Sequence, residues 1–558
     1  MKIKSYYIFS LVVIFFFIAS CKDDDSEDLS VNINKTGIEE FVDEAYQYLQ
    51  PHEYDFVDPN NLAFGSVSGG DARLLSDAGV QGWSYQFDNF QVTSSNEDLI
   101  RKWQVCYEGI HHCNNGIDTI GRAVLTIEVD ETFKSTKIAE LRFLRSFLYF
   151  ELVKVFGPEI PFYDENTPDD HTPVVDHPVW QDIETDLTFA ADNLPASWGA
   201  GEEGRANLWA AKAFLAKAKL FQAGNETGKY AEALTLLEDI MENGLTGKGE
   251  KYSLLTNFDD NFNVVFDNNS ESVFAEQSKV DGSGRHGNFG YVLAYPYANP
   301  DYDYSGDIPG GCCGFFSPTF SLVNSYKVDP DGLPFLDGSY NDTDLQNDMG
   351  LEPDAVYEAD ATTAVDPRVD WTVGRRGIPY LNWGLHPGKS WIRDQGYSGP
   401  YSPIKNVYRK NDPTELQDGW APGSGLNTPL MRYADLLLMA AECYAQAGAT
   451  QDLVKATQLV NQIRTRAGNH SVPGSVANYE IGIYPAFTSG DAAIQAIRFE
   501  RKLELAMEGH RYFDLVRWGI AQYELEALIV HEHAAGCIQY GYISGDILST
   551  FFPIPIQN

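Results

Sequence analysis

The chain has 558 residues, and its 40 lysines and arginines against 80 aspartates and glutamates give a formal charge of −40. So acidic a chain argues against nucleic acid and against docking on anionic lipid head groups, while a neutral ligand meets no repulsion. Hydrophobic residues at 43 % and aromatics at 13 % exclude a disordered acidic protein, and the length supplies material for a large core.

In chain order, Lys2 and Lys4 precede an apolar run from Ile8 to Ala19, too short to span a bilayer and suited to a signal-peptide core. Residues 1–20 are read as that signal peptide. It ends Ile18-Ala19-Ser20-Cys21, the pattern of a lipobox, in which cleavage precedes the cysteine and its thiol is acylated. An ordinary secretory cleavage with Cys21 incidental is the alternative. Residues 21–36 read as an acidic tether, with Lys22-Asp23-Asp24-Asp25-Ser26-Glu27-Asp28 behind the cysteine.

Residues 37–249 carry helical periodicity. Ile38 to Leu49 is a first helix, followed by a glycine-rich SGGDAR loop at 68–73 and an aromatic stretch around Trp83. Leu99, Trp103, Cys106, Ile110, Cys113 and Ile117 recur at helical spacing within Glu97 to Ile120. Between Ile138 and Phe156, Leu141, Leu144, Leu148, Leu152 and Val155 form one apolar stripe, and Phe143, Phe147 and Phe150 form another. A helix apolar on two faces is wedged between other helices, and Gly157-Pro158 stops it. Trp180 to Leu194 follows. Leu208 to Gly224 with Tyr230 to Met241, and Arg432 to Gly448 with Asp452 to Arg466, are two helix pairs that resemble degenerate tetratricopeptide repeats. Such a unit cannot bury its apolar face alone, so the pieces before and after the middle of the chain are expected to stack into one solenoid.

Across residues 250–425 glycine, proline and aromatics crowd together and periodicity fades, the mark of a functional lobe within a domain rather than a linker. Cys312-Cys313 lie between glycines, as a vicinal disulfide or as two free thiols. Asp301, Asp303, Ser305 and Asp307 in DYDYSGD copy the first half of a calcium loop, but Cys312 stands where the closing glutamate belongs. The expectation is therefore no metal, and no cofactor motif is present. In residues 426–558, Asp491 is expected to cap a helix on which Glu500, Glu504 and Glu508 share one face. The interleaved Arg498, Arg501, Arg511 and Arg517 make these carboxylates a partly buried ion-pair network rather than a catalytic set. His531-Glu532-His533 fits no common zinc spacing.

The helix at 138–156 with its Gly-Pro stop, the Arg432-Tyr433-Ala434-Asp435 start, the run from Glu500 to Gly519 and the terminal Pro553-Ile554-Pro555 together resemble the SusD/RagB family of bacterial outer-membrane lipoproteins. The acidic stretch after Cys21 is similar to the surface-export signal of Bacteroidetes lipoproteins. The resemblance implies a mainly α-helical fold, a degenerate tetratricopeptide-like scaffold carrying an irregular aromatic-rich lobe. It also implies lipid anchoring in the outer membrane facing outward, non-catalytic capture of an oligosaccharide, and delivery to a SusC-like TonB-dependent barrel. A RagB-like peptide binder, a secreted glycan hydrolase and a scaffold without a ligand site are the rival readings.

A sugar ring offers an apolar C–H face and a polar rim, so its site needs exposed aromatics with hydrogen-bonding neighbours. The candidates are Asp71, Arg73 and Trp83 in one region and Tyr297, Asn299, Tyr302 and Tyr304 in another, both placed by the family resemblance. Trp371, Trp383 and Trp391 are further candidates. If Cys21 is acylated, Cys21→Ala should leave a folded protein that fractionates as soluble. Each acyl methylene buried in the membrane contributes about 0.8 kcal/mol, and a variant still firmly in the membrane fraction would refute the anchor.

Overall fold

The computed structural model describes residues 30–50, 59–74, 85–168, 175–224, 226, 228–278, 289–302, 304–405, 407–418, 421–448, 451–537 and 551–556. The signal peptide, Cys21, Trp83, Asp303 and Trp420 lie outside them.

Among the described residues, six helices of twelve residues or more fill the first half: α1 (Lys35–Tyr46), α2 (Glu97–Gly121), α3 (Glu131–Phe156), α4 (Trp180–Asn193), α5 (Leu208–Gln222) and α6 (Gly228–Asn243). From α2 onward each packs on the next in chain order. The wedged helix is α3. It begins at Glu131, ahead of the predicted start at Ile138, because Asp130 caps it by accepting the Phe133 N–H at 2.8 Å. From Phe143 to Val153 every side chain is buried. Phe143 and Phe147 meet Phe214 and Phe274 edge to face at 4.9 to 6.0 Å, and Phe150 meets Phe221 at 5.0 Å. On the other side Leu148 and Leu141 seat against Gly109 and Gly116 of α2. A Cβ at either glycine would stand 2.6 Å from the leucine Cδ1, so the two helices approach through missing side chains.

Among the described residues, five helices follow the middle segment: α7 (Tyr433–Gln446), α8 (Leu453–Ala467), α9 (Gly490–Glu504), α10 (Arg511–Arg517) and α11 (Ala521–Ala534). Helix α7 packs on α6 and α5, so the solenoid continues across the intervening segment. Buried ion pairs bind the seam. Asp435 of α7 takes Lys217 of α5 at 2.9 Å and Arg501 of α9 at 2.6 Å, and Arg517 reaches Glu442 at 2.7 Å. Helix α9 is capped by Ser489, whose hydroxyl accepts the Ala492 N–H, and not by Asp491, which sits in the first turn.

The middle segment leaves the scaffold and returns to it through one antiparallel ribbon, Ser272–Glu276 with Thr428–Arg432, in which Ser272 faces Arg432 and Glu276 faces Thr428. The other paired strands among the described residues are two or three residues long. Much of the segment belongs to the scaffold's own core, through Phe316, Phe320, Leu322, Tyr326, Val369 and Tyr401. A separate small core of Val292, Tyr295, Tyr380, Trp391, Ile404, Val407 and Tyr408 underlies the rest. Cys312 and Cys313 are joined as a vicinal disulfide.

The ribbon's end delivers Arg432 into the C-terminal carboxylates. Helix α9 stops at Glu504, and Met507 and Gly509 turn with positive φ, so Glu508 is off the helix face it was expected to share. The ion-pair network exists, but its cations come from elsewhere than the interleaved arginines. Arg368 reaches Glu500 at 2.6 Å and Glu504 at 3.1 Å, and Arg464 reaches Glu500 at 3.0 Å. Arg432 holds Glu271 at 2.6 Å and Glu508 at 2.7 Å, and Lys405 also holds Glu508 at 2.7 Å. Arg466 joins Glu271 at 2.9 Å and closes on Glu504. Burial pushes the Glu504 carboxyl up, but Arg466, Arg432 and Arg368 more than offset it and hold the group below the usual carboxylate range. Truncating one partner strands the others uncompensated, so Glu504→Ala should lose roughly 3–5 kcal/mol of stability in chemical denaturation. Glu39→Ala, which removes an exposed pair with Lys35, should leave the midpoint unchanged. Equal effects of the two would contradict the dependence on burial.

Candidate functional site: the aromatic face of the lobe

The described parts of the two expected ligand regions differ in burial. The glycine-rich loop at 65–73 is buried against the C-terminal run. A Cβ on Gly65 would lie 1.9 Å from the Gly509 carbonyl oxygen, so two backbones cross there without side chains between them. Arg73 is fully buried, paired with Glu532 of α11, and donates to the Tyr397 carbonyl at 3.1 Å. Glu532 also accepts the Ser321 N–H at 2.8 Å. Asp71 is buried too and accepts the Met507 N–H at 3.1 Å. These two residues therefore tie the N-terminal loop to the C-terminal helices and present no surface to a ligand, which corrects their selection as binding residues.

The same contact accounts for His531-Glu532-His533. Glu532 is the counter-ion of Arg73, and His531 pairs with Asp344 at 3.1 Å. Burial pulls the His531 imidazole down, but its bonds to Asp344 and Glu532 dominate and raise it to about 9. Among the described residues no group of three or more histidine, cysteine, aspartate or glutamate side chains is arranged for a metal. In DYDYSGD, Asp307 is paired with Lys410, and Asp301 and Ser305 are exposed.

Two of the tryptophans are structural. Trp371 is buried with Phe258, Phe262 and Val472, its indole N–H donating to the His470 carbonyl at 2.8 Å. Trp391 is fully buried at the centre of the small lobe core. Neither offers a free face, so neither is a stacking residue. Asn299 is also buried. Its amide donates to the carbonyls of Ile392 at 2.8 Å and Arg393 at 3.1 Å, and its oxygen accepts the Asp301 N–H, so it staples one loop to another.

Four aromatics remain half-exposed on that stapled frame: Tyr297, Tyr302, Tyr304 and Trp383. The Tyr297 N–H bonds the Trp391 carbonyl at 3.0 Å, and the Tyr304 ring stands edge-on to Trp391 at 5.8 Å. Trp383 donates to the Tyr408 carbonyl at 3.0 Å and lies perpendicular to its ring. Cations accompany three of the rings, and sequence reasoning missed them. The Arg393 guanidinium lies 4.3 Å from the Tyr297 centroid, Lys389 lies 5.5 Å from that of Tyr302 and Lys410 lies 6.0 Å from that of Trp383. Such contacts fix ring orientation and hold a donor beside each ring. Lys389 also pairs with Glu352 at 2.8 Å. The disulfide loop closes on the same frame through Ala298 N–H to Gly311 carbonyl at 3.0 Å and Gly314 N–H to Tyr295 carbonyl at 2.9 Å.

The buried state of Asp71 has a measurable signature. One of its carboxylate oxygens has no hydrogen-bond partner. Burial pushes the group up to about 6, with Arg511 and the Met507 N–H offsetting only part. A carboxyl whose folded pKa is raised stabilises the fold below its unfolded value and loses that contribution as pH rises through about 6. Asp71→Asn keeps an acceptor for Met507 and removes the charge. It should raise the melting temperature at pH 8 and show a smaller difference at pH 4.5; the reverse order would refute it.

With fold and site in hand, comparison with known proteins is informative. The model of the SusD family matches residues 270–555, and a second model, described as starch-binding associating with outer membrane, matches residues 24–220. A SusD-like protein of Bacteroides ovatus is 27 % identical over 459 residues, 78 % of this chain and 68 % of that protein. SusD-like protein P25 of Formosa agariphila is 24 % identical over 434 residues, 75 % of this chain and 70 % of that protein. Among solved structures, a laminarin-binding SusD-like protein superposes with a TM-score of 0.66 at 23 % identity, covering 94 % of this chain and 96 % of that one. Surface glycan-binding protein A from Bacteroides thetaiotaomicron gives 0.65 at 21 % identity over 93 % and 96 %. The helical scaffold and the family motifs at both ends of the chain agree with these matches, and the chain belongs to the SusD family.

Proposed function

We propose that this protein captures an oligosaccharide at the outer face of the outer membrane, without turnover, and delivers it to a SusC-like TonB-dependent barrel. The observation that carries this reading is the set of half-exposed Tyr297, Tyr302, Tyr304 and Trp383, braced by cations on a stapled frame over a core of their own. Aromatic faces with adjacent N–H donors match the apolar face and polar rim of a sugar. The names of the structural neighbours, laminarin binding in one case and surface glycan binding in another, support the same ligand class. Trp83 stays in the candidate set.

Absence of turnover is supported by the names of the structural neighbours, which are those of binding proteins. Beside the rings, Asp307 and Glu352 lie in ion pairs with Lys410 and Lys389. Attachment through an acylated Cys21, with the acidic tether holding the body off the membrane, fits the family model's description of outer-membrane association.

Tyr302→Ala and Trp383→Ala should each weaken oligosaccharide binding by about 1–3 kcal/mol, by analogy with aromatic platforms for bases. The melting temperature should barely move, because a half-exposed ring leaves no closed cavity. Binding and melting measured on the same variants, with laminarihexaose and maltohexaose as probes, decide the matter. The chain length of a bound probe should stay unchanged on prolonged incubation. Unaltered affinity in both variants, or new reducing ends, would overturn the reading.

A further inference from the structure

A second cleft lies in the helical scaffold and shares no residue with the lobe. Its floor is one face of α2, where Trp103, Tyr107, His111, Asn115 and Asp118 recur over four turns. At 1.5 Å per residue that face runs about 22 Å. Its wall is the stretch from Pro161 to Pro168 that follows the Gly157-Pro158 stop of α3 and turns at Asp164 to Thr167. The volume is about 760 Å³, inside the range of ligand-binding clefts.

The wall is held rigid from behind. The Tyr149 hydroxyl accepts the Tyr163 N–H at 2.7 Å, and Tyr107 donates to the Pro161 carbonyl at 2.7 Å. Asn114, buried beneath, donates to the Tyr163 carbonyl at 3.1 Å and accepts from Arg145 at 2.7 Å. The same Arg145 holds Glu165 at 2.6 Å and Asp186 at 2.7 Å. Two half-exposed rings, Tyr107 and Tyr163, stand 5.8 Å apart and nearly perpendicular in this frame. At the mouth, His111 and Asn115 are exposed and bonded to each other at 3.1 Å.

The charge pattern selects the ligand. Among the described residues Asp118, Asp164 and Glu165 line the cleft and no lysine or arginine does, so a polyanion is repelled. Glu165 is neutralised from behind by Arg142 and Arg145, Asp118 is paired with Arg122, and Asp164 accepts from Asn166 and Thr167, so a polycation finds little uncompensated charge beyond Asp164. Rings, an amide, an imidazole and hydrogen-bonding carboxylates remain. We propose that this cleft is a second binding site, for a neutral oligosaccharide chain laid along α2. The choice of sugar as the neutral ligand rests on the function proposed above, and the test separates the two.

The mature full-length protein and its Tyr302→Ala/Trp383→Ala variant are labelled by hydroxyl radicals with and without laminarihexaose, maltohexaose, hexagalacturonate or hexalysine. Labelling is read at Tyr107, His111 and Tyr163 by mass spectrometry. A neutral hexasaccharide should remove labelling at these residues in both proteins. His111→Ala/Asn115→Ala, which alters exposed side chains, should abolish that protection, weaken the cleft's affinity about tenfold or more, and leave the lobe's affinity unchanged. Protection by hexagalacturonate or hexalysine alone, or by none of the probes, overturns the proposal. A double lobe variant that binds as wild type defeats the lobe reading and leaves the cleft standing.

Discussion

Five buried cations set against five buried carboxylates hold this molecule together. Arg368, Lys405, Arg432, Arg464 and Arg466 meet Glu271, Asp366, Glu500, Glu504 and Glu508. Each ion costs several kcal/mol to desolvate, so the set is no store of stability by itself. What it imposes is uniqueness of arrangement. The members come from the ribbon that opens and closes the lobe, from the lobe itself and from α8 and α9. Any packing that separated these pieces would strand a charge in the core, so the lobe has one way to sit on the scaffold.

That constraint explains how loops with little regular structure support a defined surface. The stem of the lobe is pinned by Glu271 and Arg432 at the ends of paired strands. Above it the loops are stapled by a buried amide, Asn299, and by backbone bonds to the segment around Trp391. Polar backbone atoms that would otherwise be orphaned find partners in neighbouring loops. The half-exposed rings inherit their positions from this bonding.

Most of the scaffold was legible in the sequence because helical burial writes a period of 3.6 into the residue types. The stripes of α3 are buried, and the paired helices form, where periodicity placed them. Helix edges were legible only where a side chain announces them. Asp130 lies outside the apolar pattern and so was missed, and Ser489 was passed over for the nearby Asp491. Glu508 reads as helical by spacing, but α9 stops at Glu504 and the left-handed turn at Met507 carries it off the face. The site was less legible for a physical reason. A tryptophan in a core and one on a surface look alike in a sequence, and it is the packing of distant segments that buries Trp391 and leaves Trp383 half-open. Asp71 and Arg73 resembled ligand groups because charged residues beside glycines usually are exposed. Here the glycines serve a backbone crossing, and the counter-ion of Arg73 lies 459 positions away. Nothing local signals such a pair, and the same holds for the cations beside the tyrosines.

The seven buried side chains beneath the aromatic face form a cluster apart from the main core. Their separateness bears on how such a protein changes over generations. A substitution in the main core is felt by helices along the whole solenoid, whereas one in the small cluster is felt first by the loops packed around it. Lengthening a loop or exchanging a ring there therefore tests a new surface without putting the rest of the molecule at risk. The loops over this cluster are in effect a graft with its own rootstock, and divergence of surface within a lineage of these proteins is expected to accumulate in them first.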